Sequence, residues 1–91
     1  MVHVIIYDIS DDTRRYRISK YLEGKGQRIQ ESAFECRLGD DELNEVVDRL
    51  RHLMQNDGNI RIYPVCRSCI EKSIGIGSVQ DIVGSKGYAI F

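Results

Sequence analysis

The chain opens on a nearly unbroken apolar run, Val2-His3-Val4-Ile5-Ile6-Tyr7, which stops at Asp8. A run that is apolar on both parities predicts an interior strand ending where the chain leaves the core. Ile18, Tyr21 and Leu22 then keep helical spacing, with Ser10 as the cap, Asp11 and Asp12 in the first turn, and Gly24 and Gly26 at the exit. From Arg28 to Leu38 the period switches to two. Phe34, Cys36 and Leu38 share one face and Glu35 and Arg37 the other, with a break near Glu31-Ser32. Asp40-Asp41-Glu42 opens a second helix whose stripe, Leu43, Val46, Val47, Leu50, Leu53 and Met54, is core. Asn56-Asp57-Gly58-Asn59 is turn chemistry, and Ile60 to Val65 a last strand, with Pro64 suited to an edge or strand end.

Strand, helix, strand, strand, helix, strand is the order of two split βαβ units. It predicts an α+β, ferredoxin-like βαββαβ sandwich with helices on one face of an antiparallel sheet. The first strand's second apolar parity then needs its own cover, and a second copy of the chain is the simplest one. Residues 1–73 are expected to form the domain. The apolar tail, residues 74–91, is expected to add a strand to the partner subunit's sheet edge, giving a homodimer.

Ninety-one residues make one small domain, a size at which association helps. The net charge of -1 conceals a segregation. Arg14, Arg15, Arg17, Lys20, Lys25 and Arg28 stand against Glu23 alone, while Asp40, Asp41, Glu42, Glu45 and Asp48 form an acidic stretch. These are either two solvated helix faces or a basic edge whose local field suits a polyanion. The apolar start lacks the basic lead and cleavage site of a signal peptide, and no stretch is long enough to span a membrane. Three cysteines without secretory context read as reduced thiols in the cytoplasm.

Asp8 is the candidate of most interest. A carboxylate at a strand tip seeks a cation or hydrogen-bond donors. It either caps the following helix near Ser10 and Asp11 or, with a symmetry mate across a dimer axis, holds a hard divalent ion such as Mg²⁺ or Mn²⁺. Arg14 and Arg17 fall on one helix face and Arg15 on another, so all three cannot grip one phosphate strand. Cys66-Arg67-Ser68-Cys69 is half a zinc site at most and reads as small buried thiols at a turn. His3 and His52 lack ligand spacing to each other, and Gly75-Ile76-Gly77 lacks the ending of a phosphate loop.

Three stretches in register carry a family resemblance. They are Tyr7-Asp8-Ile9-Ser10-Asp11-Asp12 with Arg14-Arg15, then Arg28-Ile29-Gln30-Glu31-Ser32-Ala33-Phe34-Glu35, then Arg61-Ile62-Tyr63-Pro64-Val65-Cys66 with Cys69. Over residues 2 to 70 the chain resembles the small CRISPR-associated adaptation protein (Cas-two). The resemblance implies a homodimer with a metal-binding aspartate on Asp8, flanked by Tyr7 and Ser10. It implies nucleic-acid contacts at Arg15, Arg17 and Arg28, and an aromatic support at Phe34, while Arg14 is a further phosphate-binding candidate by its guanidinium alone. Glu31 departs from the family pattern, which often has an aromatic or hydrophobic residue before Ser32. The implied activity is Mg²⁺-dependent endonuclease cleavage of single-stranded RNA or double-stranded DNA during spacer acquisition. The implied partner is the CRISPR integrase. The alternative is a non-catalytic, DNA-binding dimeric scaffold of the integration complex. A blander reading is a regulatory dimer that binds small ligands.

Overall fold

A computed structural model describes residues 1–76, and its elements follow the expected order. They are β1 (Val2–Asp8), α1 (Asp12–Glu23), β2 (Gly26–Gln30), β3 (Ala33–Arg37), α2 (Asp40–Met54) and β4 (Asn59–Val65). A further short helix, α3 (Arg67–Glu71), was not anticipated, because five residues carry too little periodicity to read. The strands form one sheet in the order β2-β3-β1-β4, with every neighbouring pair antiparallel. Strand β1 is thus interior, paired with β3 from Val2 to Ile6 and with β4 along its whole length. Pro64 lies in β4, the outermost strand on that side, where its missing N–H leaves no gap in an inner ladder.

Alternation along β1 sets the two faces. Ile5 and Tyr7 point at the helices and are buried with Ile18 and Leu22 of α1, Val46 and Leu50 of α2, and Phe34 and Cys36 of β3. Fully burying side chains of this size contributes about 1.5–3 kcal/mol each. Burial also pushes the Cys36 thiol up to about 11, which keeps it protonated and inert. Val4, Ile6 and Asp8 take the opposite parity, with Glu35 and Ala33 of β3 buried beside Val4 and Ile6. Cross-strand pairing places Tyr63, Arg61 and Asn59 of β4 beside them. Ile6 and Tyr63 are 41% and 45% exposed there, a wide apolar exposure for the middle of a sheet.

Two glycines permit close approaches. A Cβ at Gly26 would lie 2.1 Å from the Glu35 carbonyl oxygen, so only glycine lets β2 pass β3 there. Gly58 has φ +67° and would set a Cβ 1.8 Å from the Asp8 carbonyl oxygen. The turn before β4 is therefore pressed onto the end of β1.

Two expectations need correction. The cap of α1 is Asp11, whose side chain accepts from the Arg14 N–H at 2.9 Å; Ser10 is engaged elsewhere. Cys66 and Cys69 are exposed, because the chain leaves the sheet at Val65 and α3 turns only Ile70 into the protein. Ile74 and Ile76 are exposed as well, and the tail expected to pack on a partner lies mostly outside the described residues.

Candidate functional site

The site lies where β1 ends, α1 begins and the α2–β4 turn passes between them. At this corner Asp57 does the helix-organising work. Its carboxylate accepts from the Ser10 hydroxyl at 2.6 Å, the Asp11 N–H at 2.8 Å and the Ser10 N–H at 3.3 Å. The Ser10 hydroxyl, the Asp11 N–H and the Ser10 N–H, with Arg14 beyond them, favour the charged form. They hold the Asp57 carboxyl below its usual range.

Asp57 thereby takes the donors that would have made Asp8 a capping residue. Among the described residues, the Asp8 side chain has neither a hydrogen bond nor an ion pair. It stands exposed at the end of β1, opposite Asn59 and two residues beyond Ile6. An acceptor-only carboxylate without competing cations suits a hard cation. One chain brings too few ligands, however: no three His, Cys, Asp or Glu residues cluster among the described residues. Asp8 alone would therefore fit a divalent ion only as part of a larger donor set.

The arginines separate as their spacing predicts. Arg14 and Arg17 line a cavity of about 580 Å³ between α1 and α2, together with Arg49, His52, Gln55 and one acidic residue, Asp11. Arg14 donates to Gln55 Oε1 at 2.9 Å and lies 3.9 Å from Asp57. Gln55 itself ends α2 at φ 56°, an unusual conformation for a residue with a side chain. Arg17 is exposed and makes no hydrogen bond or ion pair among the described residues. Arg15 turns away, donating to the Ile9 carbonyl at 2.9 Å and pairing with Asp12.

Arg28 lies apart from this groove. It donates to Ser19 Oγ at 2.6 Å and to the Glu31 carbonyl, approaches Glu23 at 3.6 Å, and rests 4.9 Å over the Phe34 ring. It ties β2 to α1 from the helix side. Phe34 is fully buried and stacks with Tyr7, their ring centroids 6.3 Å apart. Tyr7 in turn donates to the Glu31 carbonyl at 3.4 Å. Both aromatics support the strand that carries Asp8 and offer no surface for a base to stack on.

Sequence reading passed over Arg49, took Asp57 as turn chemistry and set His52 aside for want of a ligand partner. Arg49 and His52 are spaced by three residues on the flank of α2 that faces Arg14 and Arg17, a spacing that was legible. Asp57 left no such trace, since a turn explains an aspartate by itself.

The element order and the four-stranded antiparallel sheet define a class of small α+β domains, and comparisons make that specific. Residues 1–73 match the family model of the CRISPR associated protein Cas2, and the chain belongs to that family. It is 43% identical over 79 residues to a CRISPR-associated endoribonuclease Cas2 of Chloroflexus aurantiacus, covering 85% of each chain. It is 46% identical over 65 residues to one of Synechocystis sp., covering 70% of this chain and 71% of that one. Among solved structures it is similar to a chain of a partial Cas6-RT-Cas1–Cas2 complex. The TM-score is 0.72 and the identity 26%, with 79% of this chain and 86% of that one covered.

Proposed function

We propose that the protein is a CRISPR adaptation factor of the cytoplasm, a ferredoxin-like homodimer whose Asp8 carboxylates form a divalent-metal phosphodiesterase site. The observation that carries this reading is the exposed, unpartnered Asp8 beside an Asp57 that already satisfies the helix start. Its relatives named as endoribonucleases support cleavage, and the likeness to a chain in a Cas1–Cas2 complex supports the CRISPR integrase as partner. The exposed apolar side chains of Ile6 and Tyr63 support a second copy as their cover.

Across a two-fold axis through their face of the sheet, two Asp8 side chains would approach one another. Their mutual repulsion would then be relieved by Mg²⁺ or Mn²⁺ between them. When bound, such an ion activates water and offsets phosphate charge. The chain's own contribution is to aim the carboxylate: Tyr7 is anchored in the core, and Gly58 presses on the Asp8 carbonyl. The groove of Arg14, Arg17, Arg49 and His52 supplies phosphate contacts, since guanidinium meets phosphate oxygens in pairs. Substrates of this chemistry are single-stranded RNA and double-stranded DNA.

The test is cleavage of both labelled substrates by wild type and Asp8→Ala, each with Mg²⁺ and with chelator. Activity lost in the variant and in chelator supports the metal site. Equal activity, or none in either protein, rejects it and favours a non-catalytic scaffold, which intact spacer integration by Asp8→Ala would support. Sedimentation as a monomer at micromolar concentration removes the shared site altogether.

A further inference from the structure

The Cys66-Arg67-Ser68-Cys69 stretch plays no part in this function, yet its geometry is chemically specific. Cys66 precedes α3 and Cys69 lies one turn later, and both thiols are exposed. Their sulfurs are 3.2 Å apart, about 1 Å more than a disulfide bond. Ser68 Oγ is 3.3 Å from Cys66 Sγ. A thiolate on Cys66 is therefore met by two donors, the Ser68 hydroxyl and the Cys69 thiol. These pull Cys66 down to about 7, while the Cys66 sulfur pushes Cys69 up. One sulfur is thus ready to attack near neutral pH and the other is held in reserve, the division of labour in thiol–disulfide exchange. No third metal-ligating side chain joins the pair among the described residues, which disfavours a soft-metal site within one chain.

We infer that Cys66 and Cys69 are a redox-active dithiol that exchanges with small disulfides and, when oxidised, staples the start of α3. The Cys66 thiolate attacks one sulfur of a low-molecular-weight disulfide, RSSR, forming the mixed disulfide and releasing RS⁻. Cys69 then gives up its proton and attacks the Cys66 sulfur, releasing the second RS⁻. The protein loses two electrons and two protons, and the small disulfide becomes two RSH. Cys36 takes no part, being fully buried in the core.

The staple matters because α3 is weak. Five residues cannot hold a helix by themselves, and Cys66 has no side-chain capping bond. Its turns rest on Ile70 N–H to Cys66 O at 3.1 Å, Lys72 N–H to Ser68 O at 3.2 Å, and Ser73 Oγ to Cys69 O at 2.8 Å. A bond between residues 66 and 69 holds that first turn closed, so the redox state sets the order of the segment leaving β4.

Oxidised glutathione added to the reduced full-length protein at neutral pH tests both parts. Trypsin cuts after Arg67, between the two cysteines, so an internal bridge joins peptides 62–67 and 68–72 until reductant is added. Wild type is expected to lose two thiols, join these peptides and retain no glutathione. Cys69→Ser should trap glutathione on residue 66, and Cys66→Ser should react several-fold more slowly. Amide exchange at Ile70, Lys72 and Ser73 should slow on oxidation. Wild type that keeps its glutathione, or bridges between chains instead, overturns the dithiol. Unchanged exchange in the bridged protein overturns the staple.

Discussion

Asp8 and Asp57 are 49 positions apart in number and share one corner of the molecule, yet they have opposite fates. Asp57 is only 11% exposed in its side chain and accepts three hydrogen bonds from Ser10 and Asp11, which lead into α1. Asp8 is exposed and, among the described residues, accepts none. A protein needing only to close its helix start could have used Asp8, the nearer residue. Sending that work to a distant turn leaves a bare carboxylate at the end of an interior strand. The contrast separates architecture from chemistry better than either residue does alone.

Exchanging the carboxylates one at a time should give the largest effects. Asp8→Asn is expected to cut cleavage by roughly two orders of magnitude or more, the scale seen when one preorganised charge-stabilising group is removed. Its urea midpoint should stay near wild type, as surface changes are usually within about 0.5 kcal/mol. Asp57→Asn should do the reverse, lowering the midpoint while cleavage follows the folded fraction. A stability loss in Asp8→Asn would return Asp8 to a structural role.

Gly58→Ala strikes both residues through the backbone. Left-handed backbone costs a residue with a Cβ about 1–2 kcal/mol, and here the new methyl also meets the Asp8 carbonyl. Destabilisation at or above that range is expected, with residual activity reduced beyond the loss of folded protein. Chemical denaturation and cleavage by the same samples would check it. A neutral outcome would mean the turn and the strand end are not coupled.

Acid should discriminate the pair next. A carboxyl held below its ordinary pKa in the folded state contributes stability that is fully present above its unfolded value. That contribution is lost as pH falls through the lower folded value. Wild type should therefore lose stability through the acidic range, and Asp57→Asn should show a shallower acid limb. Thermal melts across that range would measure it. Identical slopes would say that the clasp does not depend on the charge.

The frame of this site was legible because local pattern and tertiary fold agree in it. Alternation at Phe34, Cys36 and Leu38 fixes which face of β3 meets the helices, and the stripe from Leu43 to Met54 fixes α2. The tip position of Asp8 follows from the run before it. What local pattern could not reveal is competition between distant donors and acceptors. Ser10 is a good cap by its neighbours, but its hydroxyl donates to Asp57, 47 residues on, and Asp11 accepts the Arg14 N–H instead. The family resemblance pointed to Phe34 and Arg28 as site residues, and only packing shows them spent on the chain's own core and α1. The cysteines misled for a similar reason, since burial depends on where α3 turns after the sheet ends.

The smallest effect expected separates the basic groove from Arg28. Phosphate contacts release counterions, so each one lost should reduce the slope of log affinity against log salt by about one. Arg17→Ala and Arg49→Ala should each do so on duplex DNA, with little change in stability, because both side chains are exposed on the helix pair. Arg28→Ala should instead lower stability, losing its bond to Ser19 and its place over Phe34, and leave the slope near wild type. Fluorescence anisotropy across a salt series reads the slopes. An unchanged slope in Arg49→Ala would confine the phosphate path to α1, whereas a reduced slope in Arg28→Ala would extend it to β2.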